Sequence, residues 1–317
     1  MINFLVILLI IMTTQVGFGQ KSGSQYYRLL AQAQSLYQDK DYLKSARKYT
    51  EIYNNCKSKM RASDYYDASC SYALSNLLDS AMHYLSFAVN DKKYNNFTHI
   101  QSDSDLTRLH TESAWKAIID KVKYNQQRAE KNYNRPVVSL LDSIFKLDQG
   151  GRKTEDDIEK KNGYQSVEMK KYLCDLTLSD SLNVVLVTSI IDKYGWLGSE
   201  KVGEQGNTTL FLVIQHADKK VHEKYLPIMR QAVMNGNAKG AHLALLEDRN
   251  ALEEGRKQIY GSQVIRDSKT GKPTFAPIED EKNVDTRREN IGLEPLEEYA
   301  KLFHINYHNF DGKDSAN

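Results

Sequence analysis

Apolar positions in the first half of the chain recur at three- and four-residue spacing, the period of a helix with one buried face. From Tyr26 onward there are few β-branched runs and no proline before Pro136, so the pattern predicts consecutive helices. In Asp41–Tyr49 a small residue, Ala46, sits one turn before an aromatic, and Leu77–Leu85 repeats the arrangement around Ala81, 35 residues later. Tyr66, Cys70, Tyr72, Ala73 and Leu77 fit one helix of that second unit; Ala81, Leu85 and Ala88 fit the next. After Pro136 the pattern changes. Val138, Leu141, Ile144 and Phe145 predict a helix over 137–148 that stops before Gly150-Gly151. A charge-dense stretch over 152–163 reads as solvated. Val167–Leu176 is amphipathic, and Ser181 is placed to cap an apolar helix, Leu182–Tyr194, ended by Gly195. Asn207–Ala217 carries Leu210, Val213, Ile214 and Ala217 on one stripe. Residues 258–265 and 274–278 flank the turn-rich Asp267–Gly271 and predict the one convincing hairpin. Asn283 or Asp285 caps a short helix stopped by Gly292, and Pro295 opens a last helix bearing Leu296, Tyr299, Ala300 and Phe303.

The 35-residue repeat and its small residues resemble tetratricopeptide repeats, where close approach of two helices requires a small side chain. The run through Phe97, Asp103-Ser104-Asp105-Leu106, Leu109 and Trp115–Ile119 resembles the terminal segment that covers the end of such arrays. Asp103 and Asp105 then read as turn and cap residues in preference to metal ligands. The expected fold is mainly α, tetratricopeptide-like hairpins followed by a helical domain with one small β-hairpin. Its expected parts are a signal segment (1–19), a repeat domain (20–134), a second helical domain (135–308) and a loose tail (309–317).

Composition adds a compartment. Phe4–Met12 is apolar and Gly17-Phe18-Gly19 supplies small residues before Gln20, the pattern of a cleavable export signal, although Met1-Ile2-Asn3 brings no basic side chain. The run is shorter than the ~20 residues of a spanning helix, an uncleaved anchor being the alternative. No later segment reads as a membrane span, so the mature protein is expected to be periplasmic or secreted. Cys56, Cys70 and Cys174 allow one disulfide at most, Cys56–Cys70 by proximity, with buried thiols favoured. Forty-three basic and 41 acidic residues give a net charge of +2, which makes no case for nucleic acid or anionic lipid.

Tyr194-Gly195-Trp196-Leu197-Gly198, Gln215-His216-Ala217-Asp218, Asp248-Arg249, Tyr260-Gly261-Ser262-Gln263 and Arg287-Arg288 occur in this order. As a set they resemble an uncharacterised bacterial domain family whose runs read Trp-Pro-Gly, Gln-His-Ala-Asp, Asp-Arg, Tyr-Gly-Thr-Gln and Arg-Arg. Leu197 and Ser262 depart from that pattern. The resemblance implies a domain over about 137–307 and carries no activity with it.

Chemistry must therefore be read from the residues. His216 and Asp218 can cooperate only if their helix ends near Ala217; otherwise they diverge, and Asp218 is equally a helix cap. Asp248 falls among Ala241, Ala244, Leu245, Ala251 and Leu252, so its carboxylate faces an apolar stripe and requires a partner from another element. His216, Tyr260, Arg287 and Arg288 are the candidates, for an ion pair or a general acid. The candidate catalytic set is His216, Asp218 and Asp248. The candidate ligand-binding set is Gln215, Arg249, Tyr260, Gln263, Asp285, Arg287 and Arg288. The spacing of His216, His222 and His242 matches no zinc site, no phosphate loop or nucleophile elbow occurs, and no metal or cofactor is expected. The favoured function is protein or peptide binding at the repeat groove, without nucleic acid or a membrane span after signal cleavage. A hydrolase with a His/Asp/Arg site in 215–288 is the alternative.

Overall fold

The computed structural model describes residues 22–163, 166–266 and 272–307, with side chains at 22–24, 151–156 and 159 left aside. The export signal, the Asp267–Gly271 spacer and the tail from Asn309 lie outside the described residues. By packing, the described residues divide into two units, one within 132–284 and one that joins 22–131 to 285–307.

In the second of these, α1 (Ser22–Gln38) pairs with α2 (Tyr42–Cys56), and α3 (Ala62–Leu74) with α4 (Leu78–Ser86). Each start has a local cause. Asp41 accepts from the Lys44 N–H and caps α2. At α3 the Asp64 carboxylate accepts from the Arg61 N–H at 2.7 Å, the Arg61 guanidinium at 2.8 Å and the Tyr26 hydroxyl at 2.7 Å. Ala46 and Ala81 are fully buried where the helices approach, as their small size requires. A π-helical turn, Phe87–Asp91, ends α4, and α5 (Phe97–Ser102), a 3-10 segment (Ser104–Thr111) and α6 (Trp115–Ala129) follow. Ile100, Leu106, Leu109, Ile118 and Val122 join the core of the first four helices. Burying each such side chain contributes about 1.5–3 kcal/mol, enough to keep this terminal segment on the stack. Cys56 and Cys70 are buried and are not bridged to each other, whereas Cys174 is exposed. Leu77, expected on the α3 face, is instead an exposed residue just before α4.

The other unit contains α7 (Arg135–Asn162), α8 (Val167–Tyr194), α9 (Ser199–His216), α10 (Lys219–Met234) and α11 (Gly240–Glu253). α9 is central: Gly206 to Gln215 are all buried, and the other four helices pack on it. Three expectations are corrected here. α7 does not stop at Gly150-Gly151 but runs through both; each glycine costs about 1 kcal/mol, less than the packing of α7 on α8 and α9 returns. The two helices expected over 167–194 are one, capped by Ser166. Ser181 is interior and donates its hydroxyl to the Thr177 carbonyl, the habit of a mid-helix serine. As a result α8 has the length and apolarity to cross a membrane, which the shorter segments lacked. Gly203, with φ +72°, breaks α9 against the Tyr133 ring.

β1 (Val264–Arg266) and β2 (Pro273–Phe275) pair antiparallel with Val264 opposite Phe275, a shorter hairpin than expected. α12 (Val284–Ile291) and α13 (Leu296–Lys301) follow. Residues 285–307 pack with the hairpin stack, where Lys59 pairs with Glu289 at 3.7 Å.

Candidate functional site

The Gln215–Asp218 run is shaped by the end of α9. The helix terminates at His216, and Ala217 is extended, so the condition for His216 and Asp218 to cooperate is met. They nevertheless part. Asp218 is exposed and accepts from the Val221 N–H at 3.0 Å, which makes it the cap of α10. His216, whose side chain is 17% exposed, places Nδ1 3.1 Å from a carboxylate oxygen of Asp148. Asp148 is buried on α7 and also accepts from Gln149 at 2.6 Å. An imidazole held by a buried carboxylate is the arrangement of a general base, but this carboxylate belongs to none of the acids expected to serve it.

Around the same helix end stands a second pair. His222 is wholly buried, with Nδ1 2.8 Å from Glu253 and no partner at Nε2. Arg249 links the two pairs: its guanidinium donates to the Gln215 carbonyl at 2.8 Å and lies 4.0 Å from Glu253. Gln215 itself is buried, its side-chain oxygen without a donor. Asp148, His222 and Glu253 were missing from the expected set. Asp148 does continue the Leu141–Ile144–Phe145 stripe, so its inward face was visible in the spacing.

Asp248 has a different solution from the ion pair expected of it. One oxygen accepts from the N–H groups of Ile259 at 2.6 Å and Tyr260 at 2.9 Å, the other from that of Ser262 at 2.9 Å. Burial pushes this carboxyl above its ordinary range, and these bonds pull it back. Gly261, at φ +72°, lets residues 259–262 curl around the acid. The partner is thus a backbone nest, Tyr260 taking part through its amide while its hydroxyl donates to Glu247. Gln263 is buried, donating to the Ser262 hydroxyl at 3.1 Å, and Gln258 bonds the carbonyls of Gln263 and Ala276. These residues hold the hairpin to α11.

The remaining candidates fall in the other unit. Arg288 is buried, donates to the Glu294 carbonyl at 2.6 Å and lies over the Tyr299 ring at 4.9 Å. Asp285 accepts from the Leu296 N–H at 2.7 Å, and Arg287 lies on the same helix. Asp285 and Arg288 there tie α12 to the segment that opens α13.

Residues 146–309 match a family of unknown function, DUF6624. The chain belongs to that family. The DUF6624 segment begins within α7 and includes both imidazole–carboxylate pairs and the Asp248 nest, while α1 to α6 lie outside it. No curated protein and no solved structure matches the chain.

Outside the DUF6624 segment, a second polar cluster lies among α1, α3 and the 3-10 segment. Tyr37 donates to Asp105, Tyr66 to Asp103 at 2.8 Å, and Asp103 also accepts from the Asp105 N–H at 3.0 Å. Cys70 Sγ and one oxygen each of Asp103 and Asp105 lie within 4.8 Å of one another, the one such grouping with metal-ligand chemistry among the described residues. The tyrosine hydroxyls and the cap bond already occupy these carboxylates, in keeping with the capping role read for Asp103. Asp67, one turn before Cys70 on α3, has no donor to its carboxylate. Burial, with Asp64 and other charges nearby, pushes its pKa up to about 7.

Proposed function

We propose that the protein is an exported binding protein of the cell envelope. In this reading its hairpin stack, of tetratricopeptide type, holds a protein or peptide partner by a basic side chain. The observation that carries this reading is Asp67. A partly buried carboxylate with no donor, among Asp64, Asp103 and Asp105 and only partly offset by Arg61, favours a proton or a cation brought from outside. An ammonium or guanidinium docking there supplies the missing charge, and half-buried Tyr37 and Tyr94 beside the acids offer faces for its aliphatic stem. The scatter of the expected catalytic residues supports the same preference, since Asp218 caps a helix and Asp248 is enclosed by backbone.

Titration calorimetry of the full chain with short lysine-containing peptides tests it. Binding is expected to tighten from pH 5.5 to pH 8 as Asp67 ionises, and Asp67→Asn is expected to weaken it about tenfold. Equal binding of the same peptides with acetylated lysines would sink the proposal. A second reading, acid–base catalysis in the DUF6624 segment, draws on the His216–Asp148 pair. Turnover of chromogenic esters, amides or phosphates that His216→Asn abolishes would favour it, and turnover indifferent to His216 would remove it.

A further inference from the structure

The outer face of α8 is apolar and uncovered. Leu178, Leu182 and Val185 are 62%, 67% and 62% exposed, on a stripe that begins at Val167, Lys171 and Asp175 and ends at Ser189 and Asp192. Leu147 of α7, the helix packed beside α8, is exposed as well. From Ser181 to Ile191 no residue is charged. An apolar strip of this length is more than a soluble monomer ordinarily leaves bare. A bilayer is a poor occupant, although α8 has the length to span one. Its opposite face, with Asn183, Val187, Ile190 and Ile191, is buried in the DUF6624 unit, so lipid cannot surround it while the unit stays folded.

We propose that this face is covered by a second copy of the chain, α8 against α8 in antiparallel order. The charges at the two ends of the stripe support that occupant. A two-fold axis passing between Ser181 and Leu182 brings Lys171 opposite Asp192 of the other copy at both ends. The same axis sets Leu178 opposite Val185 and leaves Leu182 at the centre. One centre thus serves the charge pair and the apolar pair alike, as an isologous interface requires. Asp192 already takes Lys224 at 3.0 Å and the Tyr225 hydroxyl at 2.8 Å, and both leave it half exposed. A stable dimer through this strip must bury about 1,200 Å² in all, the size at which specific interfaces begin. The exposed thiol of Cys174 falls opposite Ser189 in this register and far from its own copy.

Sedimentation equilibrium of the full chain tests the proposal. A reversible dimer is expected, weakened about 30-fold by Leu182→Lys, which sets two ammonium groups at the axis without touching the core. Lys171→Asp is expected to weaken it as well, and adding Asp192→Lys to restore it. Under mild oxidation Leu182→Cys is expected to give a covalent dimer, and the natural chain with Cys174 alone is not. A chain that stays monomeric up to about 100 μM overturns the proposal, as does a dimer indifferent to Leu182→Lys. Cross-linking through Cys174 would also overturn it, and so would co-sedimentation of the monomer with vesicles of anionic phospholipid.

Discussion

Asp248 in the DUF6624 unit and Asp67 in the hairpin stack are both carboxylates raised by burial, and they are opposite in kind. Three backbone N–H groups close on Asp248, so its charge is used inside the fold. Asp67 has no donor and stays partly open. Burial alone therefore does not mark a functional acid. What separates the two is whether the fold has already supplied the complement, and only the acid left without one has chemistry to offer a partner. The proposed division of labour follows from this contrast, with an enclosed scaffold on one side and an unfilled anchor on the other.

The hardest blow to that contrast is Asp248→Ala. It strands three amide groups in a dry site, each costing about 1–3 kcal/mol, so a loss of roughly 3–5 kcal/mol in urea unfolding is expected. A loss below about 1 kcal/mol would mean that water reaches the nest and that Asp248 resembles Asp67 after all.

The two units are also expected to respond to pH with opposite slopes. His242 is buried and stacked on Phe211 at 4.2 Å, and burial, helped by Lys239, pushes its pKa down to about 3. The unfolded chain takes up a proton near pH 6.5 and the folded one does not until about pH 3, so stability falls as pH drops through that window. His242→Phe keeps the stack and removes the titration. It is expected to flatten this acid limb by about 2 kcal/mol at pH 4.5, read from urea midpoints. Asp67 works the other way. Its folded pKa, about 7, exceeds the ordinary 3.8, so its contribution is complete below about pH 4 and is lost as pH rises toward 7. Asp67→Asn is therefore expected to stabilise the chain above pH 7 by about 1–2 kcal/mol, once solvent screening is allowed for, and to do nothing at pH 3.5. An equal gain at both pH values would show that Asp67 is not held protonated by its surroundings.

How far these roles could be read from sequence differs between the same two acids. Asp248 was visible as an acid on an apolar stripe, and the demand for a partner was sound. Its partner was not visible, because backbone N–H groups leave no mark in composition, and Gly261 was the only hint that the chain could curl there. Asp67 was not singled out: its condition rests first on burial and on Asp64, and then on Asp103 and Asp105, 36 and 38 positions away. The stacked helices, the Ala46 and Ala81 approaches and the hairpin were legible because period and residue size act locally. Helix ends were not, where tertiary packing outweighed local preference at Gly150-Gly151 and Ser181. Asp148 continues the Leu141–Ile144 stripe, so its inward face was legible, but its partner His216, 68 positions on, was not. Arg288 was one of four candidates to neutralise Asp248, because a buried carboxylate needs a partner from another element. The chain crosses to the other unit after Val284, and there Arg288 is spent on Glu294 and Tyr299.

The smallest effect belongs to Asp218, and it separates the two readings of the Gln215–Asp218 run. As the cap of α10 its carboxylate satisfies one amide, that of Val221, at an exposed helix start. Replacing it with alanine is expected to cost about 1 kcal/mol, and Asp218→Ser to restore most of that, because a serine hydroxyl accepts the same bond. If Asp218 instead worked with His216, serine would restore stability without restoring the function, since a hydroxyl cannot hold an imidazolium as a carboxylate does. The His216–Asp148 distance of 3.1 Å argues for the first outcome, because that imidazole nitrogen is already occupied. Asp218→Ser with wild-type stability and wild-type peptide binding would confine any chemistry at the end of α9 to His216, His222 and the carboxylates that face them.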